Sequence, residues 1–273
     1  MNPTYHGSRY SIEELRQLAS EAVKHGRWMI RADNNGVSAS PRANGFVWQP
    51  PGEWTRAPDF DGKKKCGGGL HGQDSQWGGY CEGTRIVFCE HRGGYIGGID
   101  GNKMKVEEAR ILLVGELPDG LQMEGALDLS HCTLPEGLKL PDSVGGWLDL
   151  SNCTLPEGLK LPDSVGGWLD LSYCTLPEGL KLPDSVGDWL DLSNCTLPEG
   201  LKLPDSVGGW LDLNHCTLPE GLKLPDSVGG WLDLSYCTLP EGLKLPDSVG
   251  DALNLSHCTL PKGLKLDRYR VVR

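Results

Sequence analysis

The chain has 273 residues, a formal net charge of −11, 38 glycines, 19 prolines and ten cysteines. Its charge is uneven, because residues 1–115 hold 15 basic and 13 acidic side chains whereas the remainder holds 11 and 24. An acidic second half excludes direct binding to nucleic acid, which needs lysine and arginine to release counterions from phosphate. It favours a protein partner with a basic surface.

No segment predicts secretion or membrane insertion. The opening MNPTYHGSRYSIEEL lacks the apolar core of a secretory signal, and no apolar run reaches the roughly 20 residues that a membrane helix needs. We therefore expect a cytoplasmic protein, in the host cytoplasm if the chain is phage-encoded. In that compartment the cysteines are expected to be thiols or ligands and not disulfides.

The first predicted element is a helix. Ser11 and Glu14 form a capping box, and SIEELRQLASEAVKHG has the apolar spacing of an amphipathic helix that ends at Gly26. Short strand-like runs follow: GRWMIRA, GFVWQ, TRIVFCEH and ARILLVGEL. Together they predict a small α+β domain over residues 1–112, whose last strand leads into the repeats and caps them.

The candidate chemistry of this domain lies in CGGGLHG, which begins at Cys66. Cys66 and His71 can form a thiolate–imidazole pair, the minimum for a cysteine nucleophile. Cys81, Cys89 and His91 can join them around zinc. A structural turn is the third alternative, because the glycines let the backbone pass close to a neighbour. The spacings match no zinc finger and no third group orients the histidine, so no metal site, cofactor or catalytic residue is assigned.

This stretch resembles a CGxGLHG-like segment of uncharacterised bacterial and phage proteins, some of which also carry repeat arrays. The neighbouring sequences GFVW and APD are similar to the same family, over about 50 residues in all. The resemblance implies kinship with that family and no particular activity.

From residue 113 to 266 the chain repeats a 21-residue unit about seven times, as in PDSVGGWLDLSNCTLPEGLKL from Pro141. Near-identity of neighbours predicts a stacked solenoid in which each coil contacts mainly the next. The alternation in Leu148-Asp149-Leu150 predicts a strand with its leucines inward and with Trp147, Asp149 and Ser151 outward.

A second strand is predicted at Leu138-Lys139-Leu140, on the other side of the coil and with its lysine outward. Pro141 and the pair Gly145-Gly146 turn the chain between the two strands, and Pro135 with Gly137 shapes the other corner. The expected fold is thus a small α+β domain followed by a β-solenoid of parallel strands.

The pattern LxLxxCxL from Leu148 to Leu155 resembles the core of leucine-rich repeats, and the LPEGL that follows resembles the LPxxL segment of their short bacterial type. The resemblance spans residues 117–266. It implies a parallel sheet on one face and a ladder at the cysteine position, whose side chains bond neighbouring backbone. Gly145 stands where the family has its first leucine, so a curved horseshoe and a straighter β-solenoid both stay open.

The end coils differ from the interior ones. Ala126 and Ala252 stand in the tryptophan position, and Asn254 stands in that of aspartate. Residues 267–273 form a basic segment that brings arginines to the open edge, where charged side chains discourage end-to-end addition. A closed stack is therefore favoured over a self-assembling, architectural filament, although self-association remains an alternative.

Three sets of outward side chains are the candidate binding residues. The tryptophan column comprises Trp147, Trp168, Trp189, Trp210 and Trp231; the carboxylate column comprises Asp149, Asp170, Asp191, Asp212 and Asp233; and the turn column, where the copies vary, comprises His131, Asn152, Tyr173, Asn194, His215, Tyr236 and His257. In the turn column Tyr173, His215 and Tyr236 are the candidates. Rows of exposed aromatic rings mark contacts. The alternatives are solvated carboxylates, a cation site, and indoles that only close a corner.

These patterns predict a non-enzymatic repeat protein that binds a basic protein partner through an acidic, tryptophan-lined face. A sharper form of this hypothesis is a phage-type inhibitor that imitates the charge of DNA. The alternatives are an enzyme with a Cys66/His71 site and the array as a targeting arm, and an architectural solenoid.

Overall fold

The computed structural model describes residues 7–33, 47–58, 60, 70–74, 76, 85–99 and 103–272. The chain forms two compact units, Met1–Pro141 and Asp142–Arg273. The first unit contains one helix and an antiparallel sheet, and a parallel-strand β-solenoid of about seven turns follows. The predicted fold class is therefore confirmed.

Helix α1 spans Ile12–Lys24 and begins with the predicted capping box. The Ser11 hydroxyl accepts a hydrogen bond from the Glu14 amide, and the Glu14 carboxylate accepts one from the Ser11 amide at 2.8 Å. These bonds satisfy two of the amide groups that a helix start leaves without partners. Leu15, Ala19 and Ala22 are fully buried, so the predicted apolar face is the one that packs on the sheet.

The sheet of the first unit contains β1 (Trp28–Asp33), β2 (Thr55–Arg56), β3 (Leu70–Gly72), β4 (Arg85–Ile99) and β5 (Lys103–Val114). β1 pairs with β4, β4 pairs with β5, and β2 and β3 both pair along the other edge of β5. The Ile30 amide donates to the Gln73 carbonyl at 2.7 Å, and the reverse bond is 2.8 Å long. The chain after β3 thus returns to β1, and the sheet closes on itself.

The interior of this sheet is apolar and packed. Its cluster comprises Met29, Trp48, Ala57, Leu70, Val87, Cys89, Met104, Val106, Ala109, Ile111 and Val114. The long pair β4–β5 has three register shifts, and such bulges bend a strand and increase its twist. The predicted runs GRWMIRA, TRIVFCEH and ARILLVGEL thus lie in β1, β4 and β5, whereas the described part of GFVWQ forms only an isolated bridge at Val47.

Gln73 connects the sheet to the first coil within the same unit. Its side-chain amide donates to the Asp128 carbonyl at 2.7 Å, and its side-chain oxygen accepts from the Asp128 amide at 2.9 Å. The buried side chain of Gln73 therefore bonds to the backbone of strand β6 (Leu127–Asp128) in the way that the backbone of a neighbouring strand would. That residues 1–112 as a whole cap the repeats stays a prediction.

In the second unit each coil contributes two short parallel strands. One series has the sequence Leu-Asp in the interior coils: β8 (Leu148–Asp149), β10 (Leu169–Asp170), β12 (Leu190–Asp191), β14 (Leu211–Asp212), β16 (Leu232–Asp233), β18 (Leu253–Asn254) and, from the C-terminal segment, β19 (Val271–Val272). The other series has the sequence Ser-Val: β7 (Ser143–Val144), β9 (Ser164–Val165), β11 (Ser185–Val186), β13 (Ser206–Val207), β15 (Ser227–Val228) and β17 (Ser248–Val249). Equivalent residues pair in register, as Leu148 does with Leu169.

The regular second strand lies later in the coil than predicted. It pairs at Ser143–Val144 and its equivalents, whereas Leu138-Lys139-Leu140 contributes only an isolated bridge at Lys139. The proline that follows the second leucine has no amide donor, and the regular bonds between coils begin after it, for example from the Asp163 amide to the Asp142 carbonyl at 2.8 Å. The leucines of this segment still point inward, because Leu159 and Leu161 are buried.

The interior of the coils is built from leucine. Leu169 and Leu171 and their equivalents in the neighbouring coils are fully buried, which confirms the inward direction predicted from the alternation. Ser151, predicted to face outward, is buried instead. The strand ends at Asp149 and a turn follows, so the alternation of the strand does not extend to this residue.

Candidate functional site

The tryptophan column lies on the outside of the coils. Trp210 is 49% exposed and the other four indoles are half-buried. Trp147 and Trp168 stack with centroids 4.6 Å apart and planes 4° from parallel, whereas Trp189 and Trp210 meet edge to face at 5.6 Å. The Trp210 indole also lies against the backbone of Gly230. The indoles therefore cover the glycine corner in part and leave apolar surface open to a partner.

The carboxylate column runs parallel to the indoles. In each interior coil the aspartate Oδ1 accepts a hydrogen bond from the backbone amide two residues later, as Asp191 does from Ser193 at 2.8 Å. Such a bond stabilises the turn that follows the strand. Aspartate thus has a structural role that the sequence interpretation did not include, and its half-buried carboxylate is held in place at the surface.

Charge accumulates along this column. Burial, together with the neighbouring carboxylates Asp170 and Asp212, raises the pKa of Asp191 to about 6, although hydrogen bonds from Ser193 oppose the shift. The pKa of Asp212 is raised as well, first by burial and then by Asp233 and Asp170. The array therefore holds ionised groups at neutral pH at a cost in stability.

We expect Asp191→Asn to stabilise the protein at neutral pH. Because the pKa of Asp191 is raised in the folded state, folding binds protons between about pH 4 and pH 6, and stability falls as pH rises through this window. Asparagine removes the charge and keeps the acceptor, as Asn254 shows by accepting from the Ser256 amide at 3.1 Å. The expected gain in the free energy of unfolding, on the order of 1 kcal/mol at pH 7.5 after allowance for solvent screening, should vanish near pH 4.

Urea unfolding at pH 4, 5, 6 and 7.5 measures this effect. Asp163→Asn is the matched control, because Asp163 is an exposed residue on another part of the coil. A variant at residue 191 whose stability followed the same pH profile as the native chain would contradict the expectation.

The turn column has an unusual backbone. All of its residues have φ between 54° and 59°, the left-handed region that asparagine tolerates and that larger side chains rarely adopt. In most of these turns the cysteine amide donates back to the leucine carbonyl three residues earlier, for example Cys174 to Leu171 at 3.2 Å. A positive φ at the third residue of such a turn favours glycine or asparagine, yet five of the seven coils carry tyrosine or histidine.

The cysteines behind this turn are structural. Cys174 Sγ donates to the Leu150 carbonyl of the preceding coil at 3.0 Å, and Cys195, Cys216 and Cys237 repeat the bond. This is the ladder that the resemblance to leucine-rich repeats implies. Burial raises the pKa of the Cys174 thiol to about 12, so it stays protonated and does not act as a nucleophile.

The side of the coil that carries the three columns has no lysine or arginine of its own. Between the paired glycines and the LPEG segment, every interior coil reads tryptophan, aspartate, the turn residue and an exposed threonine, with no lysine or arginine. The exposed lysines, such as Lys160 and Lys181, lie on a different part of the coil, near exposed glutamate and aspartate columns.

The candidate residues of the first unit are described only in part. Cys66 and Cys81 lie outside the described residues, so their pairing with His71 and His91 stays a prediction. His71 lies in β3 opposite Lys105 of β5, and its carbonyl accepts from Arg31 at 3.3 Å. Burial raises the pKa of Cys89 to about 12 and lowers that of His91.

No group of three histidine, cysteine or acidic side chains that could hold a metal ion occurs among the residues that the structure describes. Within the same residues no helix is long and apolar enough to cross a membrane. The chain was also compared with protein-family models, curated proteins and solved structures. None of the three comparisons gives a match.

Proposed function

We propose that the chain is a non-enzymatic repeat protein whose tryptophan, carboxylate and turn columns bind a protein partner with a basic surface. The observation that carries this proposal is the composition of that side of the solenoid. Partly exposed aromatic rings flank a row of half-buried carboxylates, and the segment of each interior coil that carries them contains no lysine or arginine. Rings of this kind contribute most of the energy at protein interfaces, and opposite charges guide the approach of the partner.

A protein fits this surface better than a small ligand because of its length. Five carboxylates at the strand spacing of about 4.8 Å extend over roughly 20 Å, which is the scale of a protein–protein contact. Burial and the neighbouring carboxylates raise the pKa of Asp191, and a partner's cations would offset this by favouring the ionised carboxylate. Side chains from a basic loop or helix can follow such a row, whereas one small molecule reaches only two or three coils.

The sharper form of the proposal is an inhibitor that occupies a nucleic-acid-binding groove. Further exposed acidic columns, which include Glu157 and Asp163 in one coil, add to the negative charge of the array. The imitation of DNA would be approximate, since phosphates follow each other every 3.4 Å along a strand and the carboxylates about every 4.8 Å. The proposal includes two further points. The chain is related to short bacterial leucine-rich repeats and to CGxGLHG proteins of phages, and it is located in the cytoplasm.

The test is a pull-down with the immobilised full chain from the lysate of a bacterial host. We expect capture of a basic protein that is lost above about 0.5 M salt. Changing the five residues of the tryptophan column to serine should weaken this capture at least about tenfold, because the apolar anchors of the contact are removed.

The matched control changes five exposed lysines of the same region to serine: Lys160, Lys181, Lys202, Lys223 and Lys244. This variant has the same number of substitutions but leaves the three columns intact, so it should capture the partner as the native chain does. Equal capture by the tryptophan variant and the native chain would refute the proposed face.

A further inference from the structure

The residues of the turn column indicate which chemical group the partner presents to this face. Tyr173, His215, Tyr236 and His257 place rings where the backbone has positive φ, whereas Asn152 and Asn194 are residues that this conformation favours. Tyrosine is rare in this conformation, unlike asparagine and histidine, and strained residues concentrate at binding sites. The positions of these rings therefore call for an explanation beyond the stability of the turn.

Rings two coils apart hold one planar group between them. Tyr236 stacks on His215 with centroids 4.3 Å apart and on His257 at 4.5 Å, with interplanar angles of 9° and 20°. All three side chains are exposed at their edges, and Tyr236 is 52% accessible. The chain thus contains its own example of a flat group between two rings.

Two coils earlier, two ring-bearing residues again stand two coils apart, with a different residue between them. Tyr173 and His215 are two coils apart, and the strands that precede them are in register through Leu169, Leu190 and Leu211. Asn194 lies between them and carries an amide in place of a ring. Tyr173 is 62% exposed. We call the space over Asn194, between these two rings, the slot.

Charges near the slot select a cation. Asp191 lies three residues before Asn194, at the end of the strand, between Asp170 and Asp212 of the neighbouring coils. A carboxylate of the column can accept a hydrogen bond from a further donor, since Asn254 Nδ2 donates to Asp233 Oδ2 at 2.9 Å. A guanidinium is planar, stacks on aromatic faces and has several N–H donors, whereas the lysine ammonium is a compact charge that does not stack.

We propose that the slot binds an arginine side chain of the partner, with the guanidinium stacked between Tyr173 and His215 and its N–H groups directed to the carboxylate column. This inference rests on the proposed function, because it names the chemistry that the basic partner brings to the same face. The proposal also explains why the residue type varies along the turn column, because aromatic residues form the two sides of the slot and asparagine leaves space between them.

The test compares hexa-arginine and hexa-lysine peptides, which have the same charge, in calorimetric titrations of the full chain. We expect the arginine peptide to bind about tenfold more tightly and to shift the NMR signals of Asn194 and the His215 ring. Asn194→Tyr should abolish this preference by filling the slot. Adding Tyr236→Asn should restore it, because the double change opens an equivalent slot between His215 and His257.

Both substitutions exchange residues that already occur in the turn column, so the variants are expected to fold. Equal affinities for the two peptides, or a preference that Asn194→Tyr leaves unchanged, would overturn the slot. If partner capture still depended on the tryptophan column in that case, the proposed function would stand without it. If the arginine preference depended on residue 194 while the tryptophan variant captured the partner as the native chain does, the slot would be supported and the proposed tryptophan-lined face would be refuted.

Discussion

Gly187→Ala is expected to destabilise the solenoid by about 3 kcal/mol or more. A Cβ atom at Gly187 would lie 2.0 Å from the carbonyl oxygen of Gly166 in the preceding coil. The same contact recurs at Gly166, Gly208, Gly229 and Gly250, with distances between 1.9 and 2.1 Å. The carbonyls on either side of this obstacle, those of Val165 and Gly167, accept hydrogen bonds from the next coil, so relief requires the coils to separate. Urea unfolding followed by far-ultraviolet circular dichroism measures the loss.

Asp188→Ala is the matched control for this experiment. Asp188 follows Gly187 directly, already carries a Cβ atom and is exposed, so its truncation should change the stability by no more than about 0.5 kcal/mol. Similar unfolding midpoints for the two variants would show that the coils do not approach each other at the first glycine as described.

Asp33→Ala is expected to destabilise the first unit by about 3 kcal/mol. Asp33 is fully buried at the end of β1, and its two carboxylate oxygens accept from Arg85 Nε and Nη2 at 2.8 and 2.9 Å. Removing the carboxylate leaves the mostly buried guanidinium of Arg85 without this bidentate partner, and the desolvation of that charge is no longer offset. Hydrogen exchange at the Ile30 amide, which bonds to Gln73, reports the loss within this unit.

Glu21→Ala serves as the comparison. Glu21 pairs with Lys24 on the exposed face of α1, and pairs of this kind contribute only a few tenths of a kcal/mol. The hydrogen-exchange rate of the Ile30 amide in the Glu21→Ala variant should match that in the native chain. If Asp33→Ala behaved in the same way, the buried pair would not stabilise the closed sheet.

The repeats could be predicted well because each residue has the same neighbours in every coil. The leucines of Leu148-Asp149-Leu150 point inward as the alternation indicates, and the tryptophans and aspartates lie outside. The helix of the first unit was equally clear, since Ser11 and Glu14 mark its start. In these places local preference and tertiary packing favour the same structure.

Other features depend on contacts between residues far apart in the sequence. The Ser-Val strand was missed because Leu138-Lys139-Leu140 has the stronger alternation, whereas pairing depends on which backbone amides face the next coil. The closure of the sheet depends on Gln73, in a segment without strand-like composition. The positive φ of Tyr173 and His215 could have been inferred from Asn152 and Asn194 at the same position, because asparagine favours that region.

Quenching of tryptophan fluorescence tests most directly whether the indoles face solvent beside the carboxylates. Subtracting the emission of a variant with phenylalanine at all five positions of the tryptophan column isolates the signal of that column. Relative to the quenching of free N-acetyltryptophanamide by the same salt, caesium, a cation, should quench this difference signal at least about twice as strongly as iodide at equal ionic strength, because the negative field attracts it. Resistance to both ions, or stronger relative quenching by iodide, would contradict an exposed aromatic face with negative charge.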